Sequence, residues 1–461
     1  MSEETEYKSV HDIMRVDNEL LENISALAKD QASENLITIF KTLHPADIAE
    51  IINRLEYDEA EYIFNLLDTE SAGEVILELD ENLREKILKE IEPEKITVIV
   101  DELDLDDATD IVSDLPEDVA EHVLNNIDRE DSEEVKQLLK YREDSAGGLM
   151  NSDFVYVLDT AKISDAIEEV RKNSEDIDNI YVIYVLDQDD ILLGFIQLKS
   201  LLIHPLNTPI AEIMEQELIS VKYDEDQEEV AGTMKKYDLV SIPVIDENGK
   251  MLGRITIDDV VDVIHEEASE DIQIMAGLSE EEEVSDSPFR ISRIRLPWLF
   301  VALIGELISA HVLSSFEASI QKIVIASFFI PIVMAMGGSS GTQAAIVMVR
   351  AMGTRDIWLS EAWRKLLKEF RVALLNGLVC AMLLMAATHF IFHAEFLFSV
   401  VLSTSLIIIM IFATMVGAAV PVVLKQIGID PAIATGPFVS TTNDIFGLLI
   451  YLSLITIFFV S

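Results

Sequence analysis

Asp444 closes the run Thr435-Gly436-Pro437-Phe438-Val439-Ser440-Thr441-Thr442-Asn443-Asp444, which sits inside an apolar stretch long enough to cross a membrane. An ionisable side chain in such a stretch is costly and marks a functional position. Pro437 has no amide proton to give the carbonyl of Ile433, and Gly436 and the hydroxyl-rich residues after it permit irregular backbone. At membrane depth, irregular backbone is tolerated only where it lines a cavity or packs against protein. Hydroxyl, carbonyl and carboxylate oxygens together suit a hard cation rather than a soft one. The reading is therefore that Asp444 faces a pore. Two other carboxyl groups fall in apolar segments. Glu306 lies deeper than a helix cap would, with no polar companions beside it, and a pore role and a non-pore role both stay open. Asp430 precedes Pro431 and reads as an N-cap followed by proline at the first helical position. His389 and His393, four residues apart, fall at the outer end of an apolar span, where an interfacial role is preferred to a metal site.

These residues need a membrane to sit in, and the charge distribution shows where it is. The chain of 461 residues has a formal net charge of -51. Residues 290–461 hold 11 Lys and Arg against 8 Asp and Glu, a net of +3, which leaves -54 on residues 1–289. A body of that charge repels itself and repels nucleic acid, and it needs cations to become compact. The single cysteine, Cys380, excludes a disulfide framework within the chain. Residues 1–17 are polar and acidic with no apolar core, so a cleaved signal peptide is not expected and the N-terminus is expected to stay in the cytoplasm.

Along residues 20–140 an apolar residue returns every twelve positions, from Leu43 and Leu55 through Leu67, Leu79, Ile91, Leu103, Leu115 and Ile127 to Leu139. Eight positions after each comes another, from Ile51 and Ile63 to Val123 and Val135. Twelve residues fit one short helix and a tight turn. Such units cannot bury their apolar faces alone, so they should stack into an α-superhelix spanning residues 1–140. Acids such as Asp104, Asp106, Asp107 and Asp110 crowd its helices, and helix N-termini favour acids in any case.

Residues 146–268 change character to a βαββα pattern that occurs twice, with Asp246-Glu247-Asn248-Gly249 as a hairpin turn. This pattern resembles a tandem pair of cystathionine-β-synthase (CBS) domains, at about 148–208 and 209–268. Gly253-Arg254-Ile255-Thr256-Ile257-Asp258-Asp259 looks like the motif through which such domains hold ribose and phosphate, and the resemblance assigns Gly253, Thr256 and Asp259 to an adenine nucleotide such as ATP. The first copy, Gly194 to Ser200, lacks both the Thr and the Asp, so at most one nucleotide site is expected. Residues 263–289 read as an acidic linker helix.

Arg290, Arg293 and Arg295 precede Pro297-Trp298, and apolar spans follow at about 296–317, 320–351, 369–393, 397–424 and 432–460. Each is long enough for a hydrocarbon core of roughly 30 Å. The second is expected to be interrupted at Gly337-Gly338-Ser339-Ser340-Gly341. Counting Lys and Arg in the flanks puts ten on one side and only Lys322 on the other. The positive-inside rule then places the acidic domains in the cytoplasm and the C-terminus outside, in the plasma or bacterial inner membrane. Trp358 to Leu366 is expected to lie along the inner surface as an amphipathic helix.

Three blocks of the membrane half resemble the MgtE family of magnesium transporters: Pro331 through Ala344 with Val349-Arg350-Ala351, Gly417-Ala418-Ala419-Val420-Pro421, and Asp430-Pro431-Ala432 through Gly436-Pro437, Thr441-Thr442 and Asp444. The domain order matches as well: an all-α superhelix, tandem α/β CBS domains, an acidic linker or plug helix, and a five-helix transmembrane domain. The resemblance implies a homodimer in the bilayer with a central Mg²⁺ pore, in which Asp444 selects the ion and Ser440 offers its backbone carbonyl. It also implies closure by internal Mg²⁺ at Glu228, Asp238, Asp259 and Asp262 of the second CBS copy, at Glu267, Glu270 and Asp271 of the linker, and among Asp106, Asp107 and Asp110 of the superhelix. Ser339 stands where the family usually has Asn, which bears on affinity or on selectivity among Mg²⁺, Mn²⁺ and Co²⁺. Two other readings stay open: a carrier exchanging Mg²⁺ against Na⁺, and a membrane-anchored nucleotide sensor that conducts nothing. An enzyme is not expected, because no P-loop, nucleophile–base pair or Cys/His cluster is present.

Overall fold

The computed structural model describes residues 16, 18–174, 177, 179–278, 288–353, 362–434 and 436–460. The chain divides into two compact units, Met1–His265 and Glu266–Ser461. The membrane-surface helix expected at Trp358 to Leu366 falls largely outside the described residues. From Ala362 onward the chain already belongs to a spanning helix.

In the first unit, α1 (Asn18–Lys29) and α2 (Ser33–Phe40) lead into eight helices: α3 (Pro45–Asn53), α4 (Tyr57–Phe64), α5 (Thr69–Leu77), α6 (Glu81–Glu90), α7 (Pro93–Val100), α8 (Leu105–Ser113), α9 (Glu117–Asn126) and α10 (Arg129–Leu138). Each of the eight starts twelve residues after the one before, as the apolar repeat predicts. Asp68 and Asp128 cap their helices by accepting from the amides of Ser71 and Glu130, and proline opens α3 and α7. The residues at the eighth position of each unit, from Ile51 to Val135, are at most 1% exposed. Alternate helices pack on one another, α3 on α5, α5 on α7, α7 on α9 and α8 on α10, which winds the repeats into a superhelix.

The next part contains two three-stranded sheets of the same topology. In the first, β1 (Tyr156–Leu158) runs parallel to β2 (Val182–Leu186), which pairs antiparallel with β3 (Leu192–Gln197). In the second, β4 (Val221–Lys222), β5 (Ser241–Ile245) and β6 (Met251–Thr256) repeat the arrangement. Helices α11 (Ile163–Lys172), α12 (Leu198–Ile203) and α13 (Gln227–Tyr237) fill the connections. The two copies exchange backbone at their fronts. Asn151, ahead of the first sheet, pairs with Arg254 of β6, and Glu215, ahead of the second, pairs with Phe195 of β3. Gly253 and Gly194 sit at these crossings, and a Cβ at either would come within 2.5 Å of the carbonyl oxygen of Asn151 or of Glu215. The same close approach accounts for glycine in both copies, although only one carries the rest of the motif.

The last helix of the second copy, α14 (Ile257–Ala276), is continuous with the linker, and the division between the units falls within it. It ends at Gly277, whose φ of 87° is open to glycine at little cost.

Among the described residues, the second unit contains five helices long and apolar enough to span a membrane. They are α15 (Pro288–Ser315), α17 (Val324–Gly353), α18 (Ala362–Phe390), α19 (Phe396–Gln426) and α20 (Pro437–Phe459), with the short α16 (Glu317–Lys322) between the first two. α19 packs against α17, α18 and α20, while α15 packs against α20. Buried Phe329, Phe398, Leu402, Leu406, Ile409, Tyr451 and Leu452 form the core of the bundle, and Tyr451 donates from its hydroxyl to the carbonyl of Ala326 at 2.9 Å.

The glycine block of the second span does not break it: α17 is continuous from Val324 to Gly353. The glycines serve close packing instead. The carbonyl of Gly341 lies where a Cβ on Gly417 of α19 would go, and the Asn443 side chain lies where a Cβ on Gly337 would go. Between helices in lipid, small residues are what allow such approach. Gly417→Val is therefore expected to destabilise the bundle by about 1–3 kcal/mol, as overpacking usually does. A lower melting midpoint in detergent would register it, and an unchanged midpoint would contradict the close approach.

Candidate functional site

Asp444 sits in the second turn of α20, so the irregular backbone expected ahead of it is confined to a shorter stretch. Asp430 Oδ1 accepts from the amide of Ala432 at 2.7 Å and caps a single 3₁₀ turn, Pro431–Ala434. The α-helix restarts at Pro437, with Gly436 at its N-cap. Ser440 lies one turn before Asp444 inside α20, so its carbonyl belongs to the helical ladder. Asn443 is buried, and its Nδ2 donates to the carbonyl of Met334 at 3.1 Å. That bond pins α20 to α17 and turns the next residue, Asp444, to the outside.

Asp444 and Ser440 line an open groove of about 500 Å³ together with Met334, Ala335, Gly338, Ser339, Thr342 and Gln343 of α17. Ala335, Ser339 and Gln343 are spaced four apart and all are exposed, so they form one stripe along the helix. Glu306 of α15 is exposed nearby, and Gly305 beside it packs against the Thr441 side chain, which brings this part of α15 up to the turn of α20 that carries Asp444. The groove thus gathers hydroxyl, amide and carboxyl oxygens, the donor set of hard cations. The sequence assigned no role to Asn443 or Gln343 and left Glu306 open. The four-residue spacing of small and polar residues in α17 was the available signal.

His389 and His393 do not share a helix face. α18 ends at Phe390, and His393 follows in the left-handed region at φ 52°. The Nδ1 of His389 lies 3.3 Å from the carbonyl oxygen of Ala394, an end-of-span contact.

A second acidic site lies within the first unit. Asp106 and Asp107, in the first turn of α8, face Asp259, in the first turn of α14. Asp106 Oδ1 accepts from Asn151 Nδ2 at 3.0 Å. Burial, then repulsion from Asp107, Asp259 and Asp104, pushes the Asp106 carboxyl well above the usual range. Burial, then repulsion from Asp104, Asp259, Asp110 and Asp258, pushes Asp107 up to about 7. Asp259 is raised chiefly by burial, although its Oδ2 accepts from the Thr256 amide at 3.0 Å and from the Thr256 hydroxyl at 2.7 Å. Two residues of the nucleotide motif are thus bonded to each other and turned toward other acids.

Asp153 was missed in sequence. Burial and its acidic neighbours Glu134, Asp104 and Asp131 raise it to about 6, although Arg254 opposes them. Asp262 is raised by burial and by Asp258, and His265 opposes the shift. Asp110 is exposed on α8. Glu228 lies in the first turn of α13, and Asp238 ends that helix in the left-handed region at φ 53°. Glu267, Glu270 and Asp271 lie on α14 beyond the division between the units. Among the described residues, no three His, Cys, Asp or Glu side chains form a ready-made metal centre. The crowded carboxyls nonetheless fit a divalent cation that keeps its own waters, because such an ion relieves their repulsion without direct ligation.

Fold and site together define a multi-pass membrane protein with a helical-repeat and paired CBS-type part and an oxygen-lined groove among its spans. The model of the divalent cation transporter domain MgtE matches residues 330–454, that of the MgtE intracellular N domain matches residues 43–144, and that of the CBS domain matches 146–206 and 210–266. The chain is 37% identical to the magnesium transporter MgtE of Thermus thermophilus over 69% of its own length and 71% of that protein. It is 32% identical to the magnesium transporter MgtE of Enterococcus faecalis over 71% and 72%. Among solved structures it resembles the cytosolic domain of the Mg²⁺ channel MgtE in complex with ATP, at 31% identity and a TM-score of 0.50, over 53% of this chain and 99% of that one. The chain belongs to the MgtE family of divalent cation transporters.

Proposed function

We propose that this chain imports Mg²⁺ through a pore lined by Asp444, and that Mg²⁺ binding to its acidic cytoplasmic domains closes that pore. The observation that carries the reading is the open polar groove. Ser339, Gln343, Ser440 and Glu306 are exposed at the depth of apolar spans. Against lipid, such a surface is unfavourable. Covered by a second copy of the chain it becomes the wall of a water-filled pathway, which supports a homodimer.

Mg²⁺ dehydrates reluctantly, so the groove would hold it through its water shell, weakly enough to release it. Membrane potential drives a dication inward with about 4.6 kcal/mol per 100 mV, twice the value for a single charge. On the cytoplasmic side the carboxyls of Asp106, Asp107 and Asp259 repel when Mg²⁺ is scarce, and ions bridging them favour the closed arrangement. Glu228, Asp238 and Asp262 extend the same sensor within the first unit, and Glu267, Glu270 and Asp271 of α14 are proposed as further Mg²⁺-responsive acids in the second. The CBS part is also proposed to take an adenine nucleotide near Gly253, Thr256 and Asp259. The acids around Asp259 would repel its phosphates, so binding is expected to strengthen when Mg²⁺ is present.

The test is Mg²⁺ uptake into proteoliposomes with cytoplasmic-face Mg²⁺ set low or high. Uptake at low Mg²⁺ that stops at high Mg²⁺ supports both parts of the reading. Uptake indifferent to internal Mg²⁺ removes the gating part, and no uptake at any concentration removes the whole.

A further inference from the structure

We propose that the outer face of α18 binds an anionic phospholipid, with Lys368 and Arg371 holding the headgroup phosphate and Leu375, Leu378 and Met382 lying along an acyl chain. The site stands apart from the transport reading and needs only that α18 spans the membrane. α18 runs for 29 residues. At 1.5 Å per residue it is about 13 Å longer than a hydrocarbon core of roughly 30 Å. Counted back from Phe390, that core thickness is used up at Arg371, so the residues before it stand at headgroup level. Arg364, Lys368 and Arg371 follow one another at helical spacing and all are exposed, so they form one stripe. The stripe continues through Leu375, Leu378 and Met382, which are 65%, 45% and 59% exposed. It thus turns from basic to apolar where headgroups give way to acyl chains. The opposite face of the helix holds the buried Ala373, Gly377, Ala381 and Leu384 and packs on α19, so the stripe points away from the bundle.

The charge on this stripe is not answered within the helix. Glu369, the one acidic residue of α18, pairs with Lys365 at 3.7 Å on its flank. Among the described residues, no carboxylate pairs with Lys368 or Arg371. The two cations stand one turn apart and repel each other, and a phosphate between them relieves that repulsion while accepting charge-assisted hydrogen bonds from both. Trp363 is exposed beside them, with the Arg364 guanidinium 6.0 Å from its ring centre, and supplies the aromatic anchor common at this depth. A zwitterionic headgroup carries its own cation next to the phosphate, so the pair favours a lipid of net negative charge.

The probe is dioctanoyl phosphatidylglycerol, added to the full-length protein in an uncharged detergent while the melting midpoint is followed. A ligand that binds only the folded state raises that midpoint. The midpoint is expected to rise and saturate with phosphatidylglycerol and to stay level with phosphatidylcholine of the same chains. In Lys368→Gln/Arg371→Gln the half-saturating concentration should be about thirtyfold higher, at a factor of roughly five for each basic residue near the lipid surface. Lys368→Arg/Arg371→Lys keeps both charges and should keep the response. Half-saturation unchanged in an assembled Lys368→Gln/Arg371→Gln protein overturns the assignment, as does an equal rise with phosphatidylcholine. Inorganic phosphate raising the midpoint over the same concentrations would make this a site for a soluble anion and overturn the lipid reading. A change in oligomeric size in the glutamine variant, with its lipid response intact, would assign the stripe to contact between copies of the chain. Should the double variant fail to assemble, Lys368→Gln alone decides: a shift of about fivefold supports the site and no shift overturns it.

Discussion

Replacing Asp444 with Asn is expected to lower Mg²⁺ uptake roughly 10- to 100-fold while the protein still assembles. The substitution keeps shape and removes charge. Hydrogen bonds from an ion's waters to a carboxylate are worth about 1.5–3 kcal/mol each, against about 1 kcal/mol to a neutral group, and 1.4 kcal/mol corresponds to a factor of ten. Assembly should survive because Asn443 and Tyr451, not Asp444, make the hydrogen bonds that join α20 to α17. Ser440→Ala is the internal control. It removes a hydroxyl from the groove but keeps the backbone carbonyl, so a reduction of less than about tenfold is expected from one neutral hydrogen bond. Equal loss in the two variants would mean that the groove tolerates no change of shape, and the charge argument would fail.

Asp107→Asn is expected to do two things to the first unit: stabilise it at pH 7.5 without divalent cations, and blunt its response to Mg²⁺. Burial and acidic neighbours raise the Asp107 carboxyl to about 7. A carboxyl raised on folding binds more protons folded than unfolded between about pH 4 and 7. Stability therefore falls as pH rises through that window and levels off above it. Asp153, raised to about 6, adds to the same slope over pH 4 to 6. At pH 7.5 the cost at Asp107 is fully present, on the order of 2 kcal/mol once solvent screening is allowed for. Removing it should raise the calorimetric midpoint of this unit by roughly 5 °C. Mg²⁺ should stabilise the intact protein strongly at pH 7.5 and weakly at pH 5, where the carboxyls are already neutralised. A variant that melts lower than the intact protein at pH 7.5, or a Mg²⁺ effect equal at both pH values, would contradict the acid-repulsion account.

The repeat, the two CBS copies and the five spans were legible because each rests on a local period. Twelve-residue spacing, alternation along strands and long apolar runs are properties of neighbours in the chain, and the helices α3 to α10 begin where the period puts them. Asp444 stood out for a related reason: a carboxyl in an apolar run is anomalous without any knowledge of its surroundings. Those surroundings were not legible. Glu306 looked isolated because what brings α15 up to α20, Gly305 against Thr441, is a contact between distant segments, and such contacts leave no local trace. The glycines of α17 were misread for the same reason. Gly337 and Gly341 signal a broken helix when seen alone, whereas Asn443 and Gly417 pressing on them make them a packing surface.

The two helix N-termini that bring Asp106, Asp107 and Asp259 together show the division most plainly. The sequence by itself determined that acids would sit in the first turns of α8 and α14, because caps and dipoles favour them there. Only the tertiary structure decided that those turns face each other. Repulsion between carboxyls depends on distance through space, and it turns two ordinary helix starts into a crowded acidic cluster whose carboxyls are raised.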